Sequence, residues 1–262
     1  AQNIVAISFT NKAANELKER LSPMAQDVEA STIHSFCLNI LRHYLRDPLN
    51  NLIPFTIMDT DESKQLIRDI FLSIYETVLI SCEENNEFLP TPFDEYSMQK
   101  SSKTISIIAS NISKAKNAAV LPYNYLLFSN EKDLSFPDLT FDIYSRYVNI
   151  CEQQHTYDFD DILIKTYMFL HENPTVLAII QNKYKYITID EYQDTNSIQD
   201  AIINLIAQKY RNLCVVGDPD QSIYGFRGAE IKNILTFNET YPDAKIIKLF
   251  KNYRSEQQIL NT

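Results

Sequence analysis

The chain has 262 residues, a formal net charge of -10 and 45% hydrophobic residues, the composition of a globular protein with room for one large domain or two small ones. No apolar run is long enough to span a bilayer, and no basic region followed by an apolar stretch opens the chain, so neither a membrane span nor a leader is expected. The acidic balance argues against duplex binding by the whole surface and leaves room for a local groove of a few cations and aromatics.

In chain order, Ile4-Val5-Ala6-Ile7-Ser8-Phe9 reads as a buried strand. Thr10 or Asn11 then opens a helix with apolar Ala13, Ala14, Leu17 and Leu21, stopped by Pro23. A strand feeding a helix through polar caps is ordinary capping, or a phosphate seat at the helix N-terminus. Ser31 to Cys37 begins a second helix with His34 off its apolar stripe, and Phe55-Thr56-Ile57-Met58 is a short strand. From about Glu62 helical stripes take over: Leu66 to Val78, Ile105 to Ala119 and Phe141 to Cys151, with loops expected at Ser81–Glu95 and Ser129–Thr140. This part is expected to be a helical insertion over residues 63–155, between a first part at 1–62 and a remainder at 156–262.

Tyr157 to Leu163 returns the chain to the main body, and one helix follows. Lys185-Tyr186-Ile187-Thr188-Ile189 is then a β-branched and aromatic run that ends in Asp190-Glu191. Acids at the C-terminal end of a buried strand sit where open α/β sheets bind ligands. Such a pair offers a hard oxygen ligand for a magnesium sphere and a base to orient water. Asp61-Glu62 and Asp94-Glu95 repeat the dipeptide without a preceding apolar strand and read as solvated acids. Thr195 or Asn196 caps the next helix, Leu213 to Val216 is another strand, Ile231–Tyr241 is helical, and Lys245–Leu249 is a further strand. Strand–helix alternation of this kind predicts a parallel α/β sheet.

Cys37, Cys82, Cys151 and Cys214 are far apart and the four histidines lack ligand spacing. Free thiols in a reducing cytoplasm are expected, and no zinc site. Glycine occurs only at Gly217, Gly225 and Gly228, none followed by Lys-Ser or Lys-Thr, so the G-x-x-x-x-G-K-[ST] phosphate loop is missing from these residues. The chain also starts at Ala1, directly in a strand-like run; a piece of something longer is expected.

Six blocks coincide in order: Ile7 to Ala14, Thr32-Ile33-His34-Ser35, Phe159-Asp160-Asp161, Asp190 to Asn196, Val216 to Ala229, and Asn252-Tyr253-Arg254-Ser255. Together they resemble the UvrD/Rep/PcrA family of superfamily-1 DNA helicases, the Asp190 and Gly217 blocks being the long and specific ones. Ile33 stands where an aromatic is common, and Phe226 where some members carry tryptophan. The resemblance implies an incomplete RecA-like P-loop NTPase sheet with an inserted α-helical subdomain. It implies ATP and Mg2+ as cofactors, single-stranded DNA as track, 3′ to 5′ movement, roles in replication or repair, and a second motor domain elsewhere in the parent. By motif, Asp190 would hold the magnesium, Glu191 polarise the attacking water, Gln221 sense the γ-phosphate and Arg254 reach the same phosphate. On the DNA side, Phe9, Thr10, Asn11 and His34 would line the strand path, and Tyr224 and Phe226 would stack bases beside Arg227. A helicase–nuclease of the RecB/AddA type shares these blocks, and a helicase-like binding module without a motor is a non-enzymatic alternative. The piece alone, without its phosphate loop and second motor domain, is expected to be inactive.

Overall fold

The structure is a computed structural model, and its described residues are 2–21, 23, 27–47, 49, 51–94, 98, 101–223, 225 and 229–251. Among the described residues the strands are β1 (Ile4–Ser8), β2 (Glu29–Thr32), β3 (Thr56–Ile57), β4 (Thr156–Tyr157), β5 (Tyr186–Ile189) and β6 (Leu213–Val215). Four of them form one parallel sheet in the order β2-β1-β5-β6. Val5, Ala6, Ile7 and Ser8 are all buried. Burial on both faces explains why β1 reads as a continuous apolar run rather than an alternating one.

The helices follow from their stripes. α1 (Asn11–Leu21) starts where the Ala13 N–H donates to Thr10 Oγ1 at 3.1 Å. α2 (Ile33–Tyr44) is capped by Thr32, which accepts from the Ser35 N–H. Four longer or shorter helices come next: α3 (Thr60–Asn85), α4 (Ser101–Asn117), α5 (Tyr125–Glu131) and α6 (Pro137–Gln154). After β4 come α7 (Phe159–Glu172), α8 (Pro174–Lys183) and, beyond β5, α9 (Ser197–Ala207). The short α10 (Lys232–Leu235) and α11 (Phe237–Thr240) close the described elements.

Two apolar cores result. One packs Val5 and Ile7 of β1 and Ile187 and Ile189 of β5 against Phe36, Ile162, Leu163, Ile202 and Ile206 from α2, α7 and α9. The other gathers Phe71, Ile108, Ile143, Tyr144 and Tyr147 from α3, α4 and α6. The chain enters this second core through β3 and leaves it through β4, and these two strands pair in parallel at Thr56↔Thr156 and Ile57↔Tyr157.

The structure departs from the expected elements in five places. Residues 29–32 are a strand, and the second helix starts at Ile33 rather than Ser31 because Thr32 is its cap. α3 runs on to Asn85, into the expected loop, and stops at Asn86, which adopts the left-handed conformation at φ 55°. The other expected loop holds the end of α5 and the start of α6, with Pro137 in the first turn, where its missing N–H costs nothing. The single helix expected before β5 is two, divided at Pro174. Lys245–Leu249 is not a strand: Ile246, Ile247 and Leu249 are 70%, 81% and 85% exposed. β-Propensity without a buried face, or a pairing neighbour among the described residues, does not make a strand here.

Candidate functional site

Parallel strands send all their C-terminal ends to one edge. The registers Ser8↔Thr32, Ile7↔Ile189 and Ile189↔Val215 put the four ends level. Phe9, Thr10 and Asn11 therefore leave β1, His34 follows β2, Asp190 and Glu191 follow β5, and Gly217 to Gln221 follow β6, all at the same edge. Asp190 and Glu191 follow β5 and Gln221 follows the adjacent β6, the two ends being linked through Gln193 and Asp218. Arg254, Tyr224, Phe226 and Arg227 lie outside the described residues.

The acids are held from the backbone outward. The Asp190 N–H donates to Ile7 O at 2.8 Å, continuing the β1–β5 ladder by one residue. Asp190 is half-buried, and its carboxyl is raised above the ordinary range by burial first and by the Glu191 charge second. Glu191 is exposed and has φ 54°, left-handed for a residue with a Cβ. That turn swings the next residues under β6, so that the Tyr192 N–H reaches Val216 O at 3.0 Å.

Gln193, 1% exposed, joins the two strand ends. Its Nε2 donates to Glu191 Oε2 at 2.7 Å, and its Oε1 accepts the Asp218 N–H at 3.1 Å. Asp218 caps the turn after it, accepting the Asp220 N–H on Oδ1 and Gln221 Nε2 on Oδ2 at 2.7 Å. Gly217 is needed for this approach, since a Cβ there would lie 2.5 Å from Gln193 Oε1 and 2.9 Å from Ile234 Cδ1. Gln193 and Asp218 carry no role that the motifs imply. The signal was Gly217, a glycine straight after a strand, where close backbone approach is the usual reason.

A second polar cluster runs beneath His34. The ring of His34 meets Phe159 edge-on at 6.4 Å, and burial lowers its pKa, with Asp160 pulling the other way. Asp160 accepts from Ser113 Oγ at 2.6 Å and Asn117 Nδ2 at 3.3 Å, both on α4. Asn117 Oδ1 in turn accepts from Asn196 Nδ2 at 2.5 Å. Asn196 is the N-cap of α9 and forms a capping box with Gln199. Thus the Phe159 and Asp190 blocks meet through one residue of the helical segment.

Next to it Lys116, 1% exposed, pairs with Asp158 at 2.6 Å and Asp161 at 2.7 Å and sits over the Tyr147 ring. Burial works against the lysine's charge, but the two carboxylates outweigh it and hold its pKa well above the usual value. Burial also pushes Asp158 up, yet Lys116 and the Tyr147 hydroxyl overcome it and leave Asp158 lowered. Asp161 goes the other way, raised by burial to about 6.

Among the described residues no three His, Cys, Asp or Glu side chains converge as a metal cage. The donor set fits magnesium nonetheless: a single hard carboxylate, Asp190, suits an ion that keeps most of its ligands from phosphate and water. No helix among the described residues is long and apolar enough to cross a membrane.

Comparison with known proteins agrees with these motifs. Residues 1–242 match the UvrD/REP helicase N-terminal domain family. The chain is 39% identical over 263 residues to the ATP-dependent DNA helicase PcrA of Staphylococcus epidermidis, covering 99% of this chain and 32% of that protein. It is 39% identical over 262 residues to the PcrA of Bacillus subtilis, covering 98% and 32%. The chain thus spans about a third of the length of the curated relatives it matches. With its parallel α/β sheet and a family match over nearly its whole length, the chain belongs to the UvrD/REP helicase N-terminal domain family.

Proposed function

We propose that this chain is the ATP-handling part of a DNA helicase that moves along single-stranded DNA, 3′ to 5′, in replication or repair. The observation that carries the reading is the single sheet edge shared by Asp190, Glu191 and the Gly217–Gln221 turn. The relatives named ATP-dependent DNA helicase PcrA support it. We divide the chain, on this reading, into motor parts at 1–62 and 156–262 and a helical insertion at 63–155.

Asp190 would hold Mg2+, whose charge offsets that of the phosphates when it is bound. Glu191, exposed and fixed by the Gln193 amide, orients the attacking water and draws its proton. Gln221 presents its amide to the γ-phosphate from a turn that Asp218 has already folded. Arg254 would add positive charge at the same phosphate. At the β1 and β2 ends, Phe9, Thr10, Asn11 and His34 face the DNA, with Tyr224, Phe226 and Arg227 contributing from the segment after β6. Stacking on aromatics tolerates every base, as a stepping motor requires.

The test uses the full-length protein that carries this chain. Glu191→Gln is expected to lower DNA-stimulated ATP turnover by at least about 100-fold while nucleotide binding persists. Wild-type turnover in that variant would defeat the reading.

A further inference from the structure

We infer that Gln193 is a positioning residue for Glu191, its buried amide tying the water-orienting acid to the turn that carries Gln221. The inference rests on the reading of Glu191 given above and goes one residue deeper.

The geometry leaves the amide one orientation. Its Oε1 faces the Asp218 N–H at 3.1 Å, so only the Nε2 side remains for Glu191 Oε2 at 2.7 Å. The side chain is 1% exposed, which excludes solvent as a competing partner. Glu191 needs such a hold. It is exposed, and its backbone sits at φ 54°, a conformation that surrounding contacts must maintain. Its carbonyl accepts the Asp194 N–H at 2.9 Å, which fixes the turn but not the carboxylate. On the other side, Gly217 leaves Gln193 Oε1 the space that a Cβ at 2.5 Å would take. Ser222 Oγ also donates to Gln193 O at 3.4 Å, at the far end of the same turn. The result is one chain of contacts, Glu191–Gln193–Asp218–Gln221, in which the acid and the phosphate-facing amide shift together.

A residue acting this way should affect the rate of the step rather than the binding of nucleotide. In the full-length protein, Gln193→Met keeps the length of the side chain and removes both hydrogen bonds. The expected result is a kcat for ATP lowered by about 100-fold, the cost of misplacing a reacting group, with the KM for ATP within about twofold. Without any nucleotide, the Asp218 amide should exchange with deuterium about tenfold faster, since it has lost its acceptor. Gln193→Glu is nearly isosteric and separates the two contacts. It keeps an acceptor for the Asp218 N–H, so amide protection stays, while its second oxygen faces Glu191 and turnover still falls.

If Glu191→Gln abolishes turnover but Gln193→Met and Gln193→Glu both turn over at the wild-type rate, Gln193 does not position the acid. A drop in kcat for Gln193→Met with unchanged exchange at Asp218 overturns the link to the Gln221 turn. Should Gln193→Met fail to fold, the Gln193→Glu pair of readouts decides alone. Wild-type turnover in Glu191→Gln instead removes the functional reading beneath.

Discussion

Burial sets the charge that the His34 ring carries. Packed edge-on against Phe159, it has its pKa lowered by burial, so the neutral ring is favoured near pH 7. A neutral imidazole offers DNA a hydrogen bond and no displaced counterion. His34→Ala in the full-length protein should therefore weaken single-strand binding without altering the slope of log affinity against log salt. A slope reduced by about one would mean that the ring binds as a cation. At this scale the sequence was partly legible. The acids at Asp190 and Glu191 could be read from an apolar run that ends in charge. Gln193 could not, because its job depends on a backbone N–H from another strand end, and a glutamine in a polar block carries no mark of that.

Among the elements, the seam between α4 and α7 matters most. Lys116 is sealed between Asp158, Asp161 and the Tyr147 ring, so removing its charge leaves two buried acids with no cation. Lys116→Met should lower the opening free energy of α4, read by native-state hydrogen exchange, by about 3–5 kcal/mol. The pH dependence has a definite sign. Asp161 has a folded pKa raised to about 6 against an ordinary 3.8. The folded state therefore holds the proton more tightly, and this contribution is present below pH 3.8 and is lost as pH rises through about 6. Between those values the opening free energy of the first turn of α7 should fall with rising pH in the wild type. Asp161→Asn should flatten that fall, and equal slopes in the two proteins would show that Asp161 does not titrate there. None of this seam could be read from the helical stripes. Lys116 and Asn117 fall at the polar end of α4, and a stripe says which face is apolar, not which polar group is buried.

For the molecule as a whole, the parallel sheet was legible because β1, β5 and β6 are short apolar runs ending in polar turns, with helices between them. β2 was missed because Glu29-Ala30-Ser31-Thr32 lacks apolar character; its place beside β1 makes it a strand through pairing alone. The Lys245–Leu249 run failed in the opposite direction, having the composition of a strand and no strand partner among the described residues. The meeting of four strand ends at one edge is a property of topology, and six motif blocks spread from Ile7 to Ser255 could only hint at it. The Asn117–Asn196 contact has a mechanical meaning. Asn196 stands two residues beyond Asp194 and five beyond Glu191, with Tyr192, Gln193, Asp194 and Thr195 all buried between them. A tug on α4, which carries Asn117, would reach Glu191 at the C-terminal edge of the sheet through the four buried residues between Glu191 and Asn196.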